Sequence, residues 1–127
     1  MAALKNMSVL EVFSMDPEAL RETVAAQFPV YIPVSIESVG DMTEAGQLLG
    51  RYASWYSYLT GMALAAKLRK RTLKQDKADK KAVEDALSRE EIFESYADIV
   101  KSAYSAISRM FTIKQEINNE LKMTDGR

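Results

Sequence analysis

The residues best placed to do chemistry lie between Lys67 and Lys81, in the run KLRKRTLKQDKADKK. It holds eight of the seventeen basic residues of the 127-residue chain, and only two acids, Asp76 and Asp79. The chain before it is net −4, this run is net +6, and the chain after it is net −3. A positive block inside an otherwise acidic chain focuses phosphate or another polyanion locally, which an overall charge of −1 would not suggest. On one helix Lys67, Arg71 and Lys74 share a face, and Lys70, Lys77 and Lys81 extend a neighbouring one. With Arg69 and Lys80 they form an array that can follow a phosphate backbone by displacing counterions. Tyr52, Trp55, Tyr56 and Tyr58 lie one to four turns upstream, and aromatic rings beside a basic groove can stack on unpaired bases. The plainer readings are a solvated lysine-rich helix and an aromatic core. For Tyr52 and Trp55, which fall on an apolar seam, the core reading is the stronger.

Other chemistry has little to work with. The chain has no cysteine and no histidine. Disulfides, thiolate metal sites, the commonest metal ligand and the usual general base near neutral pH are therefore missing. Glu90, Glu91, Glu94 and Asp98 form an acidic helical face, but a two-metal carboxylate site would pair such residues with Glu-x-x-His; they read instead as a dipole-compatible helix start, or as contacts for the Lys block of the same hairpin or of a neighbour. There is no phosphate-binding loop, nucleophile elbow or glycine-rich dinucleotide turn. The expectation is a protein with no catalytic residue, metal or cofactor. The most membrane-like run, Tyr52 to Ala66, is fifteen residues long, short of the roughly 20 needed to span a bilayer. The start, MAALKNMSVLEVF, lacks a leader's continuous apolar stretch with a small-residue cleavage site. A cytoplasmic protein without a membrane contact is expected, in the host cytoplasm if the chain is phage-encoded.

The elements that would carry the basic block are helical. Residues 1–15 are ambiguous between helix and strand. Asp16-Pro17-Glu18 is a helix start, with an N-cap, a proline at the first position and an acid at the positive end of the dipole. That helix should end near Gln27, before Pro29. Val30, Ile32, Val34 and Ile36 then alternate with the period of a half-buried strand, and Pro33 restricts it to an edge strand or an extended arm. A long helix begins near Ser38 to Asp41. Its seam is Ala45, Leu48, Tyr52, Trp55, Leu59, Met62, Ala66 and Leu73, with Arg69 in the slot before Leu73. A second stripe, Gly46, Gly50, Ala53, Ser57 and Gly61, reads as a packing groove for another backbone. This helix could run through the basic block to Leu87. Ser88-Arg89-Glu90-Glu91 has the form of a capping box opening a second long helix. The seam of that helix is Ile92, Tyr96, Ile99, Ala103, Ala106, Met110, Ile113 and Ile117, flanked by Phe93, Val100, Ile107 and Phe111. An apolar face this wide exceeds what one neighbour covers.

The fold expected is therefore mainly α: one domain, with a short N-terminal helix and a short extended or β segment over 1–37. A long antiparallel helical hairpin follows over 38–122, then a frayed tail over 123–127. It should oligomerise through its helices, with Trp55, Tyr96, Ile99, Ala103, Ile107, Met110, Phe111, Ile113 and Ile117 in the core or the subunit interface.

Three stretches resemble the UvsY-type recombination mediators of tailed phages. Pro29-Val30-Tyr31-Ile32-Pro33 sits where that family has a short extended segment ahead of its long helix. Tyr52-Ala53-Ser54-Trp55 is similar to its Tyr-Ser-Lys-Trp element. The stretch from Ala106 to Lys114, AISRMFTIK, is similar to its Ala-Ile-Lys-Ser-Arg-Gly-Phe-Ala-Ile-Lys, one residue shorter. The resemblance covers about residues 20–120. The chain departs from the family at Ser54, where the family has Lys, and lacks its glycine-rich connector between the helices. The resemblance implies a non-enzymatic single-stranded DNA-binding protein that helps load a RecA-like recombinase onto strands covered by a single-strand-binding protein. It also implies a ring-like homo-oligomer built through the C-terminal helices, and DNA contacts within Lys67–Lys81. The reading from another class is a helical phage or bacterial assembly or scaffolding protein whose basic face docks an acidic protein.

Overall fold

A computed structural model describes residues 3–125, with side chains as far as Lys122. A 3-10 turn at Leu4–Asn6 leads into two short helices, α1 (Val9–Phe13) and α2 (Pro17–Gln27). Two long helices follow, α3 (Val39–Gln75) and α4 (Lys80–Asp125). α2 begins as its sequence dictates: the Asp16 carboxylate accepts from the Glu18 N–H at 3.2 Å, and Pro17 opens the first turn.

The capping box of the long hairpin lies at Ser38 and Asp41. The Ser38 hydroxyl accepts from the Asp41 N–H, and the Asp41 carboxylate accepts from the Ser38 N–H. The N–H groups of Glu37 and Ser38 together hold the Asp41 carboxyl below its ordinary pKa. The cap's contribution is therefore complete above the usual carboxylate range and is lost as pH falls through the lowered value.

α3 and α4 pack antiparallel along most of their length. Lys70 meets Glu90 near the turn, and Met42 meets Asn118 near the open end. The two helices advance equally between these pairs, so one register holds throughout. At 1.5 Å per residue α3 is about 55 Å long. Its inner face is the expected seam: Ala45, Leu48, Tyr52, Leu59, Met62 and Ala66 are buried. On α4 the buried centre is the flanking row, with Phe93, Val100 and Ile107 fully enclosed.

The N-terminal elements cover the middle of the hairpin, α1 against α3 and α2 against α4. Leu4, Val12, Leu20, Val24, Phe28 and Ile36 join the hairpin in one core. The Arg89 guanidinium donates to the Met15 carbonyl at 2.8 Å and ties α4 to the α1–α2 corner. No helix among the described residues is long and apolar enough to cross a membrane.

Three expectations are corrected. Residues 29–38 form no strand, and no strand occurs among the described residues. Val30 is half-buried and Ile36 is buried, while Ile32 is exposed and Val34 is 99% exposed, so the alternation makes no common face. The segment is anchored instead by the Tyr52 hydroxyl, which accepts from the Tyr31 N–H at 2.7 Å and donates to the Tyr31 carbonyl at 2.9 Å.

The break between the long helices falls at residues 76–79, not before Ser88, which lies inside α4. α3 ends in a Schellman turn: Lys77 N–H bonds the Lys74 carbonyl and Ala78 N–H bonds the Leu73 carbonyl. Lys77 takes the left-handed position, φ 53°, in place of the usual glycine. The expected tail starts later, because α4 is helical through Asp125; residues 126–127 lie outside those described. The glycines of the small-residue stripe of α3 meet no other backbone of this chain: a Cβ at Gly46, Gly50 or Gly61 would meet no atom within 4 Å beyond its own helical turns.

Candidate nucleic-acid interface

The end of the hairpin carries the basic block, distributed over two helices and a turn instead of one helix. Lys67, Arg69, Lys70, Arg71 and Lys74 lie on the last turns of α3, Lys77 in the turn, and Lys80 and Lys81 on the first turn of α4. The reversal brings Lys77, Lys80 and Lys81 to the tip beside Lys74. All of the block except Lys70 is exposed. At 100° per residue Lys67, Arg71 and Lys74 fall within about 60° on one flank of α3, and Arg69 lies on the other flank.

Lys70 is turned inward. Its Nζ lies 2.6 Å from Glu90 Oε2, with the two side chains only 18% and 8% exposed. It occupies the inner slot before Leu73 that the seam assigned to Arg69. Because it is committed to Glu90, it is not available to a phosphate as the exposed cations are. The neighbouring face of Lys70, Lys77 and Lys81 does not form, because the turn separates Lys77 and Lys81 from α3.

Counter-charges shape the rest. Lys80 approaches Glu84 at 3.9 Å, but both side chains are largely exposed, and such a pair holds little. Lys67 shares a groove with Tyr56, Thr60 and Leu64 of α3 and with Glu94 and Asp98 of α4. Two acids therefore limit the positive patch on that side. Its strongest part is Arg71, Lys74, Lys77, Lys80 and Lys81, with Asp76 and Asp79 in the turn and Glu84 on α4 as exposed acids nearby.

The aromatics belong mostly to the core. Tyr52 is buried and clamps the 29–38 segment. Trp55 is half-buried, its ring 5.3 Å from both Phe28 and Tyr52. Tyr58 stacks on Phe28 at 5.6 Å and meets Phe93 edge-on. Burial raises the Tyr58 pKa, and its hydroxyl has no hydrogen-bond partner among the described residues. Tyr56 alone of the four faces out, on the same flank of α3 as Lys67, Arg71 and Lys74.

The residues expected in the core or interface divide three ways. Ala103 and Ile107 are buried, while Trp55, Tyr96, Met110 and Phe111 are half-buried against the core. Ile99, Ile113 and Ile117 are exposed along α4. Of the acids read as contacts for the Lys block, Glu90 makes that contact with Lys70; the structural role of Arg89 went unread. Locating the turn at 76–79 would have set Glu90 opposite Lys70, but a turn without glycine or proline gives no such signal. No protein-family model, curated protein or solved structure matches this chain.

Proposed function

We propose that the protein is a non-enzymatic, oligomeric single-stranded DNA-binding protein that acts as a recombination mediator, helping a RecA-like recombinase load onto strands held by a single-strand-binding protein. One observation carries the DNA-binding part: the hairpin tip projects beyond the N-terminal elements and bears Arg71, Lys74, Lys77, Lys80 and Lys81 exposed together. Lys67 and Tyr56 continue the same flank of α3 and offer a further cation and a ring for an unpaired base. The mediator part rests on the resemblance in Tyr52–Trp55 and Ala106–Lys114. The exposed Ile99, Ile113 and Ile117 favour assembly through α4. They equally suit the second reading, a scaffolding protein whose basic tip docks an acidic protein.

The test is anisotropy of a labelled single-stranded oligonucleotide across a salt series, with a duplex of equal length beside it. If the six exposed cations other than Arg69, which lies on the opposite flank, all engage (Lys67, Arg71, Lys74, Lys77, Lys80 and Lys81), log affinity falls with log salt at a slope of about −4 per bound subunit. Replacing Arg71, Lys74 and Lys81 with Ala flattens the slope by about 2 while the fold persists. Lys70 is left in place, because removing it strands Glu90. No single-strand binding at low salt by the folded protein would overturn the nucleic-acid reading. Salt-sensitive capture of an acidic protein would then favour the scaffold.

A further inference from the structure

We propose that the outward face of α3 pairs antiparallel with α3 of a second copy of this chain, about a two-fold axis through Ser57. This pairing does not depend on the nucleic-acid reading.

Opposite the side packed on α4, α3 presents Gly46, Gly50, Ala53, Ser57, Gly61, Leu64 and Leu68 to solvent. At 100° per residue these positions fall within about 80° of one another. An exposed helix face ordinarily carries charge, and this row has none. Leu64 is 58% and Leu68 51% exposed. Glycine costs about 1 kcal/mol at each helical position relative to alanine. The isolated chain gives no reason for that cost, since a Cβ at Gly46, Gly50 or Gly61 would stand in open space.

The order of large and small residues supplies the reason. The spacing along the row, four-three-four and then four-three-four, is the same in both directions from Ser57. Two antiparallel copies related by an axis at Ser57 set Gly46 level with the partner copy's leucine at position 68. Gly50 stands level with leucine 64, and Ala53 with Gly61. Each exposed leucine thus meets a glycine hollow, and the backbones approach closely at the centre. A parallel pair would set leucine on leucine and glycine on glycine.

Charge selects the same orientation. Lys67 and Arg71 flank this row at the C-terminal end of α3. Parallel pairing would set these cations against the same cations of the second copy, whereas antiparallel pairing sets them level with the uncharged residues at positions 47 and 43, Gln47 and Thr43. α4 lies on the far side of α3 and does not obstruct the approach. The two basic tips then point to opposite ends of the pair.

Ser57→Cys introduces a single cysteine, because the chain has none. At the two-fold axis the two sulfurs come within bridging distance. Mild oxidation should convert Ser57→Cys to a covalent dimer, whereas Ser105→Cys, on the exposed side of α4, should form no covalent dimer. Gly50→Leu fills the hollow, and its Cβ enters space that the rest of the chain leaves open. By sedimentation equilibrium the dissociation constant should rise about 100-fold, with helicity by circular dichroism unchanged. A wild-type chain that stays monomeric at tens of micromolar would overturn the proposal. So would Ser57→Cys cross-linking no better than Ser105→Cys, or Gly50→Leu associating as tightly as wild type.

Discussion

The middle of the hairpin and its tip are made from the same two helices, yet they are held by different forces. In the middle, Tyr52, Leu59, Phe93 and Val100 are buried against Leu20, Val24 and Phe28 from the N-terminal elements. Three layers of apolar side chains fix the helices there by burial. Toward the tip, the Arg89–Met15 bond is where the described N-terminal elements reach α4, and the turn beyond it is largely exposed. The helices are held by the inner ends of their seams, the Lys70–Glu90 pair and the Schellman turn at Lys77. Covering the tip would have buried its cations, and a buried unpaired cation is costly. The bare end is therefore compatible with a polyanion site in a way that the middle is not.

This contrast breaks most sharply at Phe93. Phe93→Ala removes a fully buried ring and should lower stability by about 4 kcal/mol in urea unfolding. If the loss were under about 1 kcal/mol, the middle would not be the part that holds the fold. At the tip the largest loss is expected for Lys70→Ala, about 3 kcal/mol, because Glu90 is left charged and enclosed. Replacing both with Met and Leu should restore most of that loss, since an apolar pair of similar volume needs no desolvated charge. A double variant as unstable as Lys70→Ala would mean that geometry at the tip, and not charge burial, sets the penalty.

Tyr52→Phe sharpens the comparison from the other side. It keeps the ring in the middle core and removes only the hydroxyl that clamps Tyr31. The expected loss is about 1.5 kcal/mol, from the two hydrogen bonds and the Tyr31 groups left unpaired. Hydrogen exchange should speed up at residues 30–36 before it does so in α3. Uniform acceleration would show that the segment and the hairpin open as one unit.

Much of this division was legible in the sequence, because periodicity and capping are local. The α2 cap at Asp16-Pro17 and the seam from Ala45 to Ala66 needed only spacing and residue type. The turn at 76–79 was not legible, because a left-handed lysine stands where glycine would announce it. Without the turn, Lys70 could not be set against Glu90, and all eight basic residues looked equally free. Ser88-Arg89-Glu90-Glu91 misled for a related reason: the pattern is a cap only where the helix begins, and here Glu90 serves as the partner of a lysine twenty residues away. Val30 to Ile36 alternates in sequence, but a strand needs a neighbour to pair with, and the chain offers Tyr52's hydroxyl instead of a sheet edge.

The smallest expected effect separates fold from site within a single residue. Lys77 stands at φ 53°, where a side chain costs roughly 1–2 kcal/mol that glycine avoids. Part of the gain from glycine is returned by the greater freedom of the unfolded chain. Lys77→Gly should therefore stabilise the protein by about 0.5 kcal/mol, a small rise in the urea midpoint at unchanged m-value. The same change removes one of the six cations assigned to the DNA contact, so the salt slope for single-stranded DNA should flatten by about 0.7. In the middle of the hairpin, stability is expected to fall whenever a side chain is cut back, and the tip reverses that sign at Lys77. A variant that gains stability and loses slope would separate the two demands, with the turn geometry favouring glycine and the ligand favouring lysine. A gain in stability with an unchanged slope would instead move the DNA contact off the turn and onto Arg71, Lys74 and Lys81.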